Sequence, residues 1–117
     1  MLNRLFRSGG TQDGALPEID VAQTQEARLS GAAQIVDVRE PGEWADGHIP
    51  GAIRIPLGSL ANRRQELDPA RPVIAVCRSG NRSLTAVEVL ARSGFTDAKS
   101  MAGGMIAWSA RRLPVER

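Results

Sequence analysis

The stretch Cys77-Arg78-Ser79-Gly80-Asn81-Arg82 directly follows the apolar run Val73–Val76 and precedes a helical pattern. Where a strand passes through a tight loop into a helix, successive backbone N–H groups converge and form an anion site. The helix behind adds unpaired N–H groups and the positive end of its dipole. Gly80 lets the backbone turn where a side chain would obstruct, and Arg78 and Arg82 add two guanidinium groups. Cys77 is expected at the mouth of this cradle. A free cysteine has a pKa of about 8.5, so only a few per cent is thiolate at neutral pH. Lowering that by two units takes about 2.7 kcal/mol. A helix N-terminus supplies about 0.3–1 kcal/mol, and about 2 when partly buried. Loop amides and the two arginines supply the rest, which makes Cys77 a thiolate nucleophile at neutral pH.

Each candidate has a plainer reading. A lone cysteine at a strand end is by default a small hydrophobe; two arginines, a glycine and a helix start within six positions argue against that. His48, the only histidine, invites a general-base role, but it sits in a turn leading to a strand, and an ionised thiol needs no base. Asp37 and Arg39 end a strand, with Glu43 close behind. They could suggest metal or acid–base work, but a charge-paired network bracing the loops is the simpler expectation. Trp44 and Trp108 read as packing residues. Arg63-Arg64 and Arg111-Arg112 read as solvated helix charges, although either pair could dock an acidic partner protein.

The elements that would position these residues alternate. Asp20 is an N-cap for a helix ending at Ser30, with Gln23 at its third position and Gly31 past its end. Residues 34–38 (QIVDV) are apolar and β-branched, hence a strand, broken by Glu40-Pro41-Gly42. Residues 52–55 form a second strand stopped by Pro56, and 58–67 are helical. Val73–Val76 is continuously apolar, as in a strand covered on both faces. Residues 83–93 are helical, with Leu84, Val87, Leu90 and Ala91 toward the sheet. Ala98–Met101 is a last strand, and Gly103-Gly104 turns into a terminal helix through Trp108. Alternation of this kind predicts an α/β domain around a mainly parallel sheet. Ligands then sit outside the carboxyl ends of the strands, which is where the Cys77 loop falls.

The 117 residues fit one domain, set at 15–117, with residues 1–14 a polar, Gly-rich flexible tail. Net charge is +2, and Lys99 is the sole lysine among 15 basic residues. These are spread among acids without interleaved aromatics, so nucleic acid is not an expected partner. One cysteine excludes an internal disulfide or a Cys-rich metal site, one histidine argues against a zinc cluster, and no cofactor is expected. Without a run of about 20 apolar residues or a secretory leader pattern, no membrane is expected and a cytoplasmic setting is the default.

The loop Cys77-Arg78-Ser79-Gly80-Asn81-Arg82-Ser83 resembles the active-site loop of the rhodanese family of sulfurtransferases. Asp37-Val38-Arg39-Glu40, Glu43-Trp44 and Gly47-His48-Ile49-Pro50-Gly51-Ala52 resemble a second family signature, and Gly103-Gly104 with Ala107-Trp108 a third, in the family's order across 16–112. The resemblance implies a five-stranded, mainly parallel sheet with helices on both faces. It implies that a small anionic donor such as thiosulfate passes sulfur to Cys77, and that cyanide or a thiol removes it. Arg78, Ser79, Gly80, Asn81 and Arg82 would bind the donor, with Arg82 also bracing the loop and Asp37, Arg39 and Ser83 as supports near the site; Arg63-Arg64 or Arg111-Arg112 could then dock an acidic sulfur-accepting protein. Four residues separate Cys77 from Arg82. The related phosphatases and arsenate reductases have one more, so the short loop favours sulfur transfer. A non-catalytic binding or regulatory module on the same fold is the competing reading; such modules lose the cysteine or disturb the loop, and this chain keeps both.

Overall fold

The computed structural model describes residues 16–117, so the tail expected over 1–14 lies outside the described residues. Five strands form one sheet: β1 (Glu18–Ile19), β2 (Gln34–Asp37), β3 (Ile53–Arg54), β4 (Val73–Val76) and β5 (Ala98–Met101). Their order is β1-β5-β4-β2-β3, and every neighbouring pair is parallel. Strand β4 is therefore central, with β2 on one side and β5 on the other.

The apolar run of β4 is explained by what covers it. Val73 and Ala75 pack into one core with Val36, Val38, Leu60 and Leu90, whereas Ile74 and Val76 pack into a second with Ile35, Met101 and Trp108. Alternate side chains of a strand face opposite sides, and here both sides are dry, so no polar alternation appears.

Helix α1 (Val21–Ser30) starts where its cap was expected. The Asp20 side chain accepts from the Gln23 N–H at 2.7 Å, the Gln23 side chain accepts from the Asp20 N–H at 2.9 Å, and Gly31 closes the helix at φ 73°. Helix α4 spans Asn81–Arg92, two residues earlier than 83 at its start. The turn is completed within Cys77–Gly80, because Gly80 takes φ 108° as the cap, so Asn81 and Arg82 belong to the first helical turn rather than to the loop.

Other boundaries differ for local reasons. Glu40-Pro41-Gly42 ends β2 but also starts a helix, α2 (Pro41–Ala45): Pro41 sits at a first-turn position, where its missing N–H costs nothing, and Glu40 exchanges cap hydrogen bonds with Glu43. The helix expected over 58–67 is broken into a 3₁₀ turn (Leu57–Ser59), a single α turn, α3 (Leu60–Arg63), and a second 3₁₀ turn (Arg64–Glu66). Bonds from Ser59 N–H to Pro56 O and from Leu67 N–H to Arg64 O tighten its two ends. Helix α5 (Gly104–Ala110) follows β5. Beyond it the chain returns to the turn after α2, where His48 and Glu116 exchange backbone hydrogen bonds of 2.9 and 2.8 Å.

Candidate active site

Cys77 leaves the carboxyl end of β4, and the loop folds its donors around the sulfur. The Gly80 N–H lies 3.0 Å and the Ser83 N–H 3.4 Å from Sγ, and the Ser83 hydroxyl lies 3.4 Å from it. The loop carbonyls point away. Cys77 O accepts from the Met105 N–H at 2.9 Å, and Arg78 O from the Ile106 N–H at 3.1 Å. The first amides of α5, which have no partner within their own helix, thus tie down the underside of the loop, away from the sulfur. This contact explains the Gly103-Gly104 pair. A Cβ on Gly104, at φ 57°, would overlap the Cys77 and Arg78 carbonyls, and one on Gly103 would fall 2.7 Å from the Ala107 Cβ.

The expectation that Cys77 stands at the mouth is corrected: the residue is 1% exposed and lies at the floor. The amides that hold the sulfur also draw it inward. Burial pushes the thiol pKa up, but hydrogen bonds from the Ser83 hydroxyl and from the N–H groups of Ser83, Gly80 and Ser79 outweigh it, and the net direction is downward.

The two arginines divide. Arg78 and Ser79 are exposed at the rim, as is Asn81. Arg82 is not free to swing toward a donor: its Nη1 and Nη2 meet the two carboxylate oxygens of Glu43 at 2.7 and 2.8 Å. That pair holds the Glu43 carboxyl down at about 2. It also raises Arg82, to which the negative sulfur of Cys77 contributes less than Glu43 does.

Asp37 and Arg39 form a buried pair, 1% and 5% exposed, with Arg39 Nη2 2.8 Å from Asp37 Oδ2 and 2.7 Å from Gly47 O. They brace the α2 turn, and Glu43 turns away from them to Arg82. His48 stacks on Trp44 with ring centroids 3.5 Å apart, and its Nδ1 lies 3.0 Å from Trp44 O. Trp108 is fully buried and donates its indole N–H to Pro114 O at 2.9 Å.

Three features escaped the sequence reasoning. One is the Arg82–Glu43 fork. Another is Ser100 on β5, whose hydroxyl is 2.6 Å from that of Ser83; its signal was a polar residue inside a strand buried at all four positions. The third is the C-terminal segment, which helps line a cleft of about 420 Å³ beside the loop, shared by Arg78, Met105, Ile106, Gly47, Val115 and Arg117. No helix among the described residues is long and apolar enough to cross a membrane.

A family model described as a rhodanese-like domain matches residues 20–111. The chain is 39% identical over 79 residues to the uncharacterized protein YqhL of Bacillus subtilis, covering 68% of this chain and 63% of that protein. It is 36% identical over 96 residues to the thiosulfate sulfurtransferase GlpE of Pseudoalteromonas translucida, covering 82% of this chain and 91% of the relative. The crystal structure of a rhodanese-related protein from Thermoplasma volcanium superimposes with a TM-score of 0.77 at 32% identity, covering 85% of this chain and 96% of the other. The chain thus spans nearly all of two of these proteins and about 63% of YqhL.

Proposed function

The chain belongs to the family of rhodanese-like domains, and on that premise we propose that it is a sulfurtransferase whose Cys77 thiolate carries sulfane sulfur as a persulfide. The convergence of the Gly80 and Ser83 N–H groups on Sγ carries this reading. Donors fixed before reaction stabilise charge without reorganising when it moves. They serve the thiolate, the persulfide and the departing oxyanion alike.

With thiosulfate as donor, the Cys77 thiolate attacks the outer sulfur and a new S–S bond forms. The original S–S bond breaks, its electron pair leaves with sulfite, and the persulfide keeps one negative charge. Cyanide or a thiolate then attacks the outer sulfur, departs as thiocyanate or a new persulfide, and restores the Cys77 thiolate. Arg78 at the rim meets the donor's oxyanion end. Arg82 works from its fixed position against Glu43, as a charge that holds the loop. A donor approaches the recessed sulfur from the rim that carries the exposed Arg78, Ser79 and Asn81.

Incubation with thiosulfate tests the reading by intact mass. Wild type gains one sulfur atom and loses it to cyanide, and Cys77→Ser gains none. An unchanged wild-type mass removes thiosulfate as donor. A mass that also stays unchanged with a small persulfide donor removes the sulfurtransferase reading.

A further inference from the structure

We propose that Ser100 is a positioning residue for the Cys77 thiolate, acting through the hydroxyl of Ser83. Ser100 lies on β5, beside the strand that carries Cys77, and its Cα pairs with Ala75 two residues before the cysteine. Its Oγ is 2.6 Å from Ser83 Oγ, which is 3.4 Å from Cys77 Sγ. The three side chains form a line running from the sheet interior to the reactive sulfur. Ser83 and Ser100 are each fully buried, and among the described residues neither hydroxyl has another hydrogen-bond partner.

Proton counting gives the line a direction. Each hydroxyl has one proton to donate and lone pairs to accept. With Cys77 ionised the sulfur only accepts, so the Ser83 proton turns to it. The Ser83 oxygen then accepts the Ser100 proton, and both protons have acceptors. With Cys77 neutral, three protons share two links, and one is left without an acceptor in a dry interior. Buried donors without partners cost free energy, so the arrangement favours the ionised cysteine. When the thiol ionises its proton leaves to solvent, and the line afterwards points wholly at the sulfur. Hydrogen bonds in such a chain polarise one another, so Ser100 strengthens a bond to an atom it does not touch.

The other charges facing the thiol stand elsewhere. Arg82 of α4 is held by Glu43 of α2, Arg78 is on the loop, and Asp37 and Arg39 pair at the end of β2. Lys99 precedes Ser100 on β5 and forms an ion pair with Asp97; alternation along a strand turns its side chain to the opposite face from Ser100. None of these groups is hydrogen-bonded to the Ser100 side chain among the described residues.

This inference rests on the reading of Cys77 as the working thiolate, but its test uses no sulfur donor, so a failure of sulfur loading and a failure of the relay are read separately. The rate of iodoacetamide alkylation against pH gives the apparent Cys77 pKa for wild type, Ser100→Ala, Ser83→Ala and the double variant. Ser100→Ala is expected to raise it by about half a unit, a roughly threefold loss of thiolate below the pKa. Ser83→Ala raises it by about one unit, and adding Ser100→Ala to that background changes nothing further, since the route between them is gone. Ser100→Thr, which keeps the hydroxyl, holds the wild-type value. No rise in Ser100→Ala overturns the proposal. So does an equal rise with Ser83 already removed, or a rise in Ser100→Thr as large as in Ser100→Ala, which assigns the effect to packing.

Discussion

Arg82 and Glu43, 39 positions apart in the chain, meet as a two-pronged ion pair with contacts of 2.7 and 2.8 Å. The pair joins the helix behind the reactive loop to the short helix after β2, so the loop is anchored from outside as well as from below. Parallel N–H···O bonds of this kind fix orientation as well as charge.

The first prediction concerns acid. A carboxyl held at about 2 against an ordinary 4.5 contributes stability above 4.5, lost as pH falls through about 2. The Glu43 and Arg82 side chains are 29% and 36% exposed; after discounting for solvent screening, the contribution at neutral pH is about 1–2 kcal/mol. Urea unfolding of wild type and Glu43→Gln should differ by that much at pH 7, with the gap closing between about pH 4.5 and 2. A gap that does not shrink over that window would show that charge is not its source.

The two loop arginines should separate kinetically. Arg78→Ala removes an exposed side chain, so stability stays within about 0.5 kcal/mol, while KM for thiosulfate rises about tenfold through loss of a charged contact. Arg82→Ala leaves Glu43 without its partner and lowers stability by about 1–2 kcal/mol. Steady-state kinetics beside thermal melts test this, and an unchanged KM in Arg78→Ala refutes the rim role.

Glycine substitutions offer a check on the loop's lower anchor. Gly104→Ala forces a methyl into the Cys77 and Arg78 carbonyls at a positive φ, and should cost more than about 2 kcal/mol while raising the apparent Cys77 pKa. Gly42→Ala, in α2 with open space around it, should be neutral or stabilise by about 0.5–1 kcal/mol. If the two behave alike, the close approach at Gly104 is not a constraint.

His48→Ala should lower stability by about 1–2 kcal/mol, through loss of its stacking on Trp44 and its bond to Trp44 O. The pH profile of sulfur transfer should stay as in wild type. A profile that loses a limb near neutral pH would restore a proton-transfer role to the imidazole.

The central strand, the α1 cap and the position of the cysteine were legible because each is written locally: a short apolar run, an Asp20–Gln23 box, a strand passing into a helix. Strand β1 was not. Two residues after Pro17 carry no periodicity, and only pairing with Ser100 and Met101 makes them a strand; the count of five came from family resemblance. Arg82 was read as a donor contact that also braces the loop, but its partner was not legible: Glu43 lies 39 positions away, and nothing in the spacing pairs the two rather than leaving that carboxylate to Arg39. The depth of Cys77 was likewise a product of tertiary wrapping, with the Gly80 and Ser83 amides closing on the sulfur and the α5 amides holding the loop carbonyls on the other side. The segment after α5 had no pattern to read, since its pairing with the α2 turn is a single bridge at Glu116.

On the proposed sulfur-transfer reading, the recessed position of Cys77 separates the carrier from its cargo. Two copies of the chain cannot bring their Cys77 atoms to the roughly 2.0 Å of a disulfide without opening both loops, so burial shelters the resting sulfur from dimerisation and from slow air oxidation. In the proposed persulfide an added sulfur would lengthen the side chain by about that same bond, and a position nearer the rim would make it the atom that acceptors meet. The empty protein should store well, and the charged one should be the perishable form.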